Sequence, residues 1–526
     1  MNHGASDEPW VRLRDNPILL AQGRRRLRRG ATIPMVAVVA LLALCGLLAV
    51  ATLGDGDKEA WRQLIHGYLS LIGIILLLFG APQVGNTLVD ERAGGILDFH
   101  RATPLRPMTL ALGYLLGCPA REYAVAVAVL PFLALALVWA PLSLFQVAAA
   151  LLVLVTSTWF FHAFFMLTGL VMDFSRRQSG MVTLVLLVLM LGFSAGSDEP
   201  IGFALYLTPL PALLHLLAMD DAPQWAALSA PFFGWRIDPV LYTLLLQGAL
   251  TAFLLEGCTR RLQNETVPAF SRGSALGLFV VLLTLGVGSQ WQALRANLAQ
   301  DIGGHLLVFL VTATLMSTLL LLTLAPSYLN VVRGLRRARR RGAAEVSWWQ
   351  DGAAGWPLAL AYTLLTATGL GVWLAGASGA DALDLVLSRM FFAAVFAQAV
   401  FLAFVVGALE YVRLLMRSSW RNAALLIAFC AFILPWLLMG VLSGISEKAG
   451  AWPLIFSPLS GLIATWSELS RTWAGGQTDF QAYQAAADIG LGVMLLPSML
   501  AAAWFFYRCR QMRRLLAEAV PLQDGA

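Results

Sequence analysis

The stretch ATIPMVAVVALLALCGLLAVATL, residues 31–53, contains no charged side chain and is long enough to cross the hydrocarbon core of a membrane as a helix. Lipid offers the backbone no hydrogen-bond partner, so a helix is the conformation that such a stretch adopts there. The rest of the chain is similar in character, because 59% of all residues are hydrophobic and only 13% are charged. A water-soluble protein needs more polar cover than this. We therefore expect an all-α integral membrane protein.

Further apolar stretches raise the expected number of transmembrane helices to about twelve, in two sets of six. The first set comprises residues 31–53, 64–84, 123–140, 147–171, 179–195 and 240–257. The second set comprises residues 274–288, 306–324, 356–374, 390–409, 423–442 and 489–507. These sets predict an N-terminal segment over 1–30, a first six-helix half over 31–265 and a second six-helix half over 266–526.

The distribution of arginine predicts the orientation of the chain. With the N-terminus in the cytoplasm, most of the 36 Lys and Arg residues lie on the cytoplasmic side, in agreement with the positive-inside rule. The C-terminus is then cytoplasmic too, and the segments 196–239 and 443–488 face the opposite side. This asymmetry and attraction to anionic lipid account for the net charge of +6, and the sequence shows no nucleic-acid-binding motif.

Three short sequence words recur with nearly constant spacing. The matched pairs are Arg260–Pro268 with Arg513–Pro521, Leu110–Tyr114 with Leu358–Tyr362, and Thr208–Leu210 with Ser457–Leu459. The two members of each pair lie at the same topological place in the two halves. We infer a duplication that leaves both halves in the same orientation. Chance recurrence of short apolar words is the alternative.

The most informative loop is DERAGGILDFHRATPL, residues 90–105, between the second and third predicted spans. Leu97 and Arg101 fall at helical spacing, as do Ile96 and Phe99. The Thr-Pro pair at 103–104 ends any helix that begins near Glu91. We expect a short docking helix that lies across the membrane surface, and an ordinary solvated loop is the alternative.

This loop resembles the first cytoplasmic loop of the permease subunits of ABC-2 type transporters. In that family a Glu-Arg pair is followed by a glycine, by Thr-Leu-Glu and by Thr-Pro-Leu. The matching residues are Glu91, Arg92, Gly95, Leu97, Thr103, Pro104 and Leu105, while Asp98 replaces the family's Glu and Ile96 its Thr. The segment Asn16–Leu20, followed by the basic residues of 24–29, is similar to the family's N-terminal elbow helix.

The resemblance implies a permease that belongs to an ATP-driven exporter in a bacterial inner membrane. Coupling to the ATPase subunit would then involve Glu91, Arg92, Gly95, Leu97, Asp98, Thr103 and Pro104. The corresponding loop of the second half, 326–357, lacks the Glu-Arg and Thr-Pro words. A second, different docking region is expected there, with Arg333, Arg336, Arg337 and Glu345.

The implied partners are two copies of a separate ATPase subunit, besides membrane lipid. ATP and Mg²⁺ would bind to those partners, because a phosphate-binding loop needs a lysine after glycine. The only lysines here, Lys58 and Lys448, follow acidic residues. No cofactor and no catalytic residue are therefore expected in this chain, and its apolar helices do not identify the transported substrate.

Two other functions fit parts of the sequence. A secondary transporter of the major-facilitator type also has two six-helix halves, but the spans here contain few charged residues for ion coupling. The sequence GFSAG, residues 192–196, fits the G-x-S-x-G pattern of a serine nucleophile, and His162 would be its base in an intramembrane protease. That pattern normally needs a strand, a turn and a helix, which this chain is not expected to provide.

Polar residues within the predicted spans complete the set of candidates. His162 is either a functional intramembrane polar site or a neutral histidine bonded to a neighbouring helix. Gln247 and Gln398 are expected to form hydrogen bonds between helices. Glu410 is expected near the end of a span, within reach of water. No metal-binding pattern such as H-E-x-x-H occurs.

Overall fold

The computed structural model describes residues 15–54, 57–103, 105–171, 202–217, 230–297, 302–324, 328–343, 346–377, 386–415 and 491–519, with a few single positions between 427 and 458. This part of the chain divides into two compact units. The first comprises residues up to Ala230 together with Arg236–Glu265, and the second comprises Pro231–Trp235 and the residues from Thr266 onward. The division into two six-helix halves at 265/266 stays a prediction.

The helices of the first unit are α1 (Pro17–Arg26), α2 (Arg29–Leu53), α3 (Lys58–Gly73), α4 (Ala81–Ala93), α5 (Ile96–Ala102), α6 (Pro107–Gly117), α7 (Ala120–Val127), α8 (Leu130–Leu137), α9 (Leu144–Val171), α10 (Leu210–Leu217) and α11 (Pro239–Gln263). A π-helical segment, Ile74–Gly80, joins α3 to α4, and a 3₁₀ helix, Gly202–Leu207, precedes α10. A small hairpin of β1 (Ala230–Phe232) and β2 (Trp235–Ile237) precedes α11 and was not predicted from the sequence.

The helices of the second unit are α12 (Arg272–Asn297), α13 (Ile302–Leu324), α14 (Tyr328–Arg340), α15 (Trp356–Ala377), α16 (Val386–Leu415) and α17 (Leu491–Ala519). The predicted spans 179–195 and 423–442 lie wholly or mostly outside the described residues. The other ten predicted spans each fall on described helices.

The long apolar helices show that the chain is a helical membrane protein. Seven described helices are long and apolar enough to cross a membrane, or eight if α13 and α14 are counted as one bent span. In the helix Thr32–Leu53 only 6% of the most apolar window is buried against protein, as expected of a helix that faces lipid. Seven or eight spans are therefore supported among the described residues, and the total of twelve remains a prediction.

Packing in the first unit is centred on α9, which contacts both α4 and α11. A second apolar core joins α3, α7, α8 and α9 through side chains such as Ile65, Val129 and Ala150. The N-terminal helix α1 packs against α6. In the second unit, α16 packs along α17, and α12 packs along α15.

Gln247 holds an irregular segment against the bundle of the first unit. Its side chain lies on α11, accepts a hydrogen bond from Ser157 Oγ of α9 at 2.8 Å, and donates to the carbonyls of Tyr206 and Leu207 at 3.2 and 3.1 Å. These carbonyls belong to the 3₁₀ helix, whose backbone needs partners where water is absent. The expected bond between helices at Gln247 is confirmed. Gln398 likewise donates to Thr366 Oγ1 at 3.2 Å, which joins α16 to α15.

Candidate functional site

The elbow helix α1 begins where the sequence predicts it. Asn16 accepts hydrogen bonds from the backbone of Ile18 and Leu19 as the N-cap, and Pro17 occupies the first helical position. The Asn16 side chain also donates to the Thr109 carbonyl at 2.7 Å. A Cβ on Gly113 would lie 2.8 Å from Ile18 Cβ, so glycine is what permits α6 to approach α1 this closely.

Glu91 lies at the end of α4 and is buried against the elbow. Its carboxylate accepts one hydrogen bond from Gln22 Nε2 of α1 and another from the Tyr114 hydroxyl of α6. Burial raises the pKa of Tyr114 well above its ordinary value, and the bond to Glu91 raises it further, so Tyr114 remains a neutral donor. Glu91 thus fastens three helices together, and its carboxylate is not presented on the protein surface.

The helix of the predicted docking loop begins later than expected. Helix α4 continues past Glu91 to Ala93, and the chain then turns at Gly95, where φ is +71°. Only glycine adopts this left-handed conformation at little cost. A separate helix, α5, starts at Ile96, and Thr103 leaves the helical conformation at its end, as the Thr-Pro pair predicts. Pro104 itself lies outside the described residues.

Arginines of α4 and α5 form hydrogen bonds and ion pairs with the end of α11. Arg92 pairs with Glu265, with Nε 2.8 Å from Oε1. Arg101 donates to the carbonyls of Leu262 and Arg261 at 3.1 and 3.2 Å, and its guanidinium lies 3.4 Å from Glu265. The predicted docking loop is therefore attached to the helix that ends the first unit, 160 and more residues away in the sequence.

The two faces of α5 differ in their surroundings. Leu97 is buried on the inner face. On the outer face Ile96 and Phe99 are 42% and 68% exposed, and the Asp98 side chain is 74% exposed. Asp98 also pairs with Arg101 at 2.5 Å. The predicted helical spacing thus separates an inner face from an outer face that carries two apolar side chains and one carboxylate.

The second predicted docking region lies on α14. Arg333, Arg336 and Arg337 are all exposed on this helix, and Arg333 donates to Thr266 Oγ1 at 3.1 Å. The opposite face of α14 is apolar and buried through residues such as Val331 and Leu335. Glu345 lies outside the described residues. The arginines are accessible to a partner, but they are not close in sequence to any Glu-Arg or Thr-Pro word.

A buried polar cluster supports the loop that follows α14. Glu410 is only 6% exposed, although a position within reach of water was expected. It accepts from the Gly355 amide at 3.1 Å and pairs with Arg513 at 2.5 Å. Arg272, itself 1% exposed, donates to the carbonyls of Trp348, Ala353 and Ala354 at 2.6 to 2.9 Å. Hydrogen bonds from the buried Arg272 and to the buried Glu410 therefore position the backbone of this loop.

His162 lies within α9, and both of its ring nitrogens form hydrogen bonds. Nε2 is 3.1 Å from the Leu76 carbonyl in the π-helical segment, and Nδ1 is 3.1 Å from the Tyr123 hydroxyl. A carbonyl only accepts, so Nε2 carries the proton and Nδ1 accepts from Tyr123. The hydrogen bond to Leu76 joins α9 to the π-helical segment, and the one to Tyr123 joins α9 to α7. The serine of the GFSAG sequence lies outside the described residues.

Sequence reasoning did not identify several members of these clusters. Gln22, Tyr114 and Glu265 contact the predicted coupling residues but belong to distant segments. Tyr114 and Glu265 do lie within the repeated sequence words, which was the available signal. In the second unit the sequence analysis named Glu410 but not Arg272 or Arg513, and of these two only Arg513 lies in such a word.

Comparison of the chain with protein-family models, with curated proteins and with solved structures finds no match. The fold thus defines a helical membrane protein with two compact units.

Proposed function

We propose that the chain is the permease subunit of an ATP-driven transporter of the ABC-2 type, an exporter of a bacterial inner membrane. Separate ATPase subunits, two copies, would dock on its cytoplasmic side and bind ATP and Mg²⁺. The observation that carries the proposal is helix α5. It follows a membrane helix directly, is attached by its inner face, and leaves Ile96, Asp98 and Phe99 exposed.

The attachment of α5 supports a mechanical role. Arg92 and Arg101 connect the loop to the end of α11, and Glu91 connects it to α1 and α6. A push on the outer face of α5 would therefore reach four helices of the first unit as a rigid-body motion. In this proposal Glu91 and Arg92 are positioning residues, and Ile96, Asp98 and Phe99 contact the ATPase.

The division into two units supports a pair of permease halves on one chain. In each unit an arginine near the start of the repeated word donates to a backbone carbonyl, although the two arginines are not at matching positions. Arg261 donates to the Leu170 carbonyl at 3.0 Å, and Arg513 donates to the Gly352 carbonyl at 2.9 Å. In this proposal the second ATPase copy docks on the exposed arginines of α14. The absence of a Glu-Arg word there makes the two docking sites unequal.

Co-purification in mild detergent tests the proposal. The tagged wild-type chain is expected to retain an ATPase encoded by the same cells, and Phe99→Asp is expected to lose most of it, because a charge replaces an exposed apolar contact. Leu515→Asp is the matched control, since Leu515 is 57% exposed on α17 and is not part of either docking region. Transport by the purified chain alone in an ion gradient, without any ATPase, would instead identify a secondary transporter.

A further inference from the structure

A cavity of about 750 Å³ lies within the second unit, and its lining includes neither the exposed arginines Arg333, Arg336 and Arg337 of α14 nor any residue of α5. Helices α14, α15, α16 and α17 contribute to its wall, together with the loop before α15. Its size falls in the range of sites that hold small ligands, about 300 to 1,000 Å³. The residues that line the cavity indicate which class of ligand would fit it.

The wall carries more positive than negative charge. Arg510, Arg513 and Arg514 of α17 line the cavity, with Glu410 as the acidic residue among the lining side chains. Glu410 is already paired with Arg513. Arg510 and Arg514 are exposed and have no ion pair within the described part of the chain. Two guanidinium groups therefore remain available for an anion, and guanidinium groups bind phosphate well.

The cavity lies where helices of the second unit change from apolar to charged. Helix α15 begins at Trp356 and is apolar from there, whereas α17 is apolar up to Tyr507 and basic from Arg508 to Arg514. Glu410 similarly follows the long apolar stretch of α16. Tryptophan and arginine at such a transition are typical of the interface between lipid and water. Trp356 of α15 and Phe506, on the same face of α17 as Arg510 and Arg514, supply apolar surface to the cavity.

We propose that this cavity binds the head group of an anionic phospholipid. Arg510 and Arg514 contact the phosphate, and Trp356 and Phe506 pack against the glycerol and the first acyl carbons. Basic pockets beside membrane helices bind such head groups for the same electrostatic reason. A zwitterionic lipid carries its own cation, so it does not neutralise the two arginines. This inference is independent of the proposed transport function.

The test measures binding of fluorescent phosphatidylglycerol to the full chain in a non-ionic detergent. Loss of two surface arginines in Arg510→Ala/Arg514→Ala is expected to raise the dissociation constant about 30-fold, or about 2 kcal/mol. Arg341→Ala/Arg508→Ala removes the same charge from exposed positions that do not line the cavity. This control is expected to bind as the wild type does, and equal binding by both variants would overturn the proposal.

A third variant tests the cavity itself. Ala517 lines the cavity, and Ala517→Trp fills it while leaving every charge in place. Lost binding in this variant, with an unchanged unfolding temperature, supports a site inside the cavity, and retained binding overturns it.

Competitors distinguish the sources of the phosphate. Unlabelled phosphatidylglycerol is expected to displace the probe, whereas phosphatidylcholine, inorganic phosphate and glycerol 3-phosphate are not at the same concentration. Displacement by inorganic phosphate would identify a free anion site, and displacement by polyglutamate an acidic protein partner. Either result would overturn the assignment to lipid.

Discussion

At the scale of single residues, two tyrosines in matched sequence words differ in their surroundings. Tyr114 donates its hydroxyl to Glu91, whereas the Tyr362 hydroxyl is buried without a hydrogen-bond partner among the described residues and its ring packs on Phe279 at 4.6 Å. A hydrogen bond to a charged group contributes about 1.5 to 3 kcal/mol. We expect Tyr114→Phe to lower the free energy of unfolding by that amount, measured by titration with a denaturing detergent.

Tyr362→Phe is the matched control for this prediction. It removes a buried hydroxyl that has no hydrogen-bond partner among the described residues, so the free energy of unfolding should stay constant or rise. An equal loss in both variants would show that ring packing, and not the bond to Glu91, explains the effect at Tyr114. The same comparison tests whether Glu91 positions the elbow helix.

At the scale of elements, the turn between α4 and α5 determines the direction in which α5 leaves α4. A Cβ on Gly95 would meet no atom within 4 Å, so any cost of Gly95→Ala comes from its φ of +71° alone. The left-handed conformation costs a residue with a side chain about 1 to 2 kcal/mol. We expect amide hydrogen exchange in Ile96–Ala102 to accelerate about 5- to 30-fold.

Gly94→Ala, one residue earlier, is the control for the turn. Gly94 has a φ of −82°, and an added Cβ would lie 3.4 Å from the Asp90 carbonyl oxygen, an ordinary contact. Exchange in α5 should therefore be unchanged or slower, since alanine also restricts the unfolded chain. Faster exchange in Gly94→Ala alone would contradict the role assigned to Gly95.

At the scale of the whole molecule, the predicted orientation has a direct test. Green fluorescent protein fused after Glu265 or after Ala526 is expected to fluoresce, because both positions are predicted to be cytoplasmic. The same protein fused after Asp221 should remain dark, since it would be exported unfolded. A fluorescent Asp221 fusion would invert the topology and remove α5 from the side where ATP is hydrolysed.

The sequence by itself determined the membrane class, the positions of the apolar helices, the elbow and the break at Thr103, because these depend on local composition, helix capping and proline geometry. Only the tertiary structure decided that Glu91 and Glu410 are buried and that α5 is attached to α11. The residues that form these contacts lie far apart along the chain. Gln22 and Glu91 are separated by 69 residues, and Arg92 and Glu265 by 173. Local periodicity carries no information on such pairs. The cavity beside α17 could not be predicted from the sequence either, because its wall consists of residues from four helices.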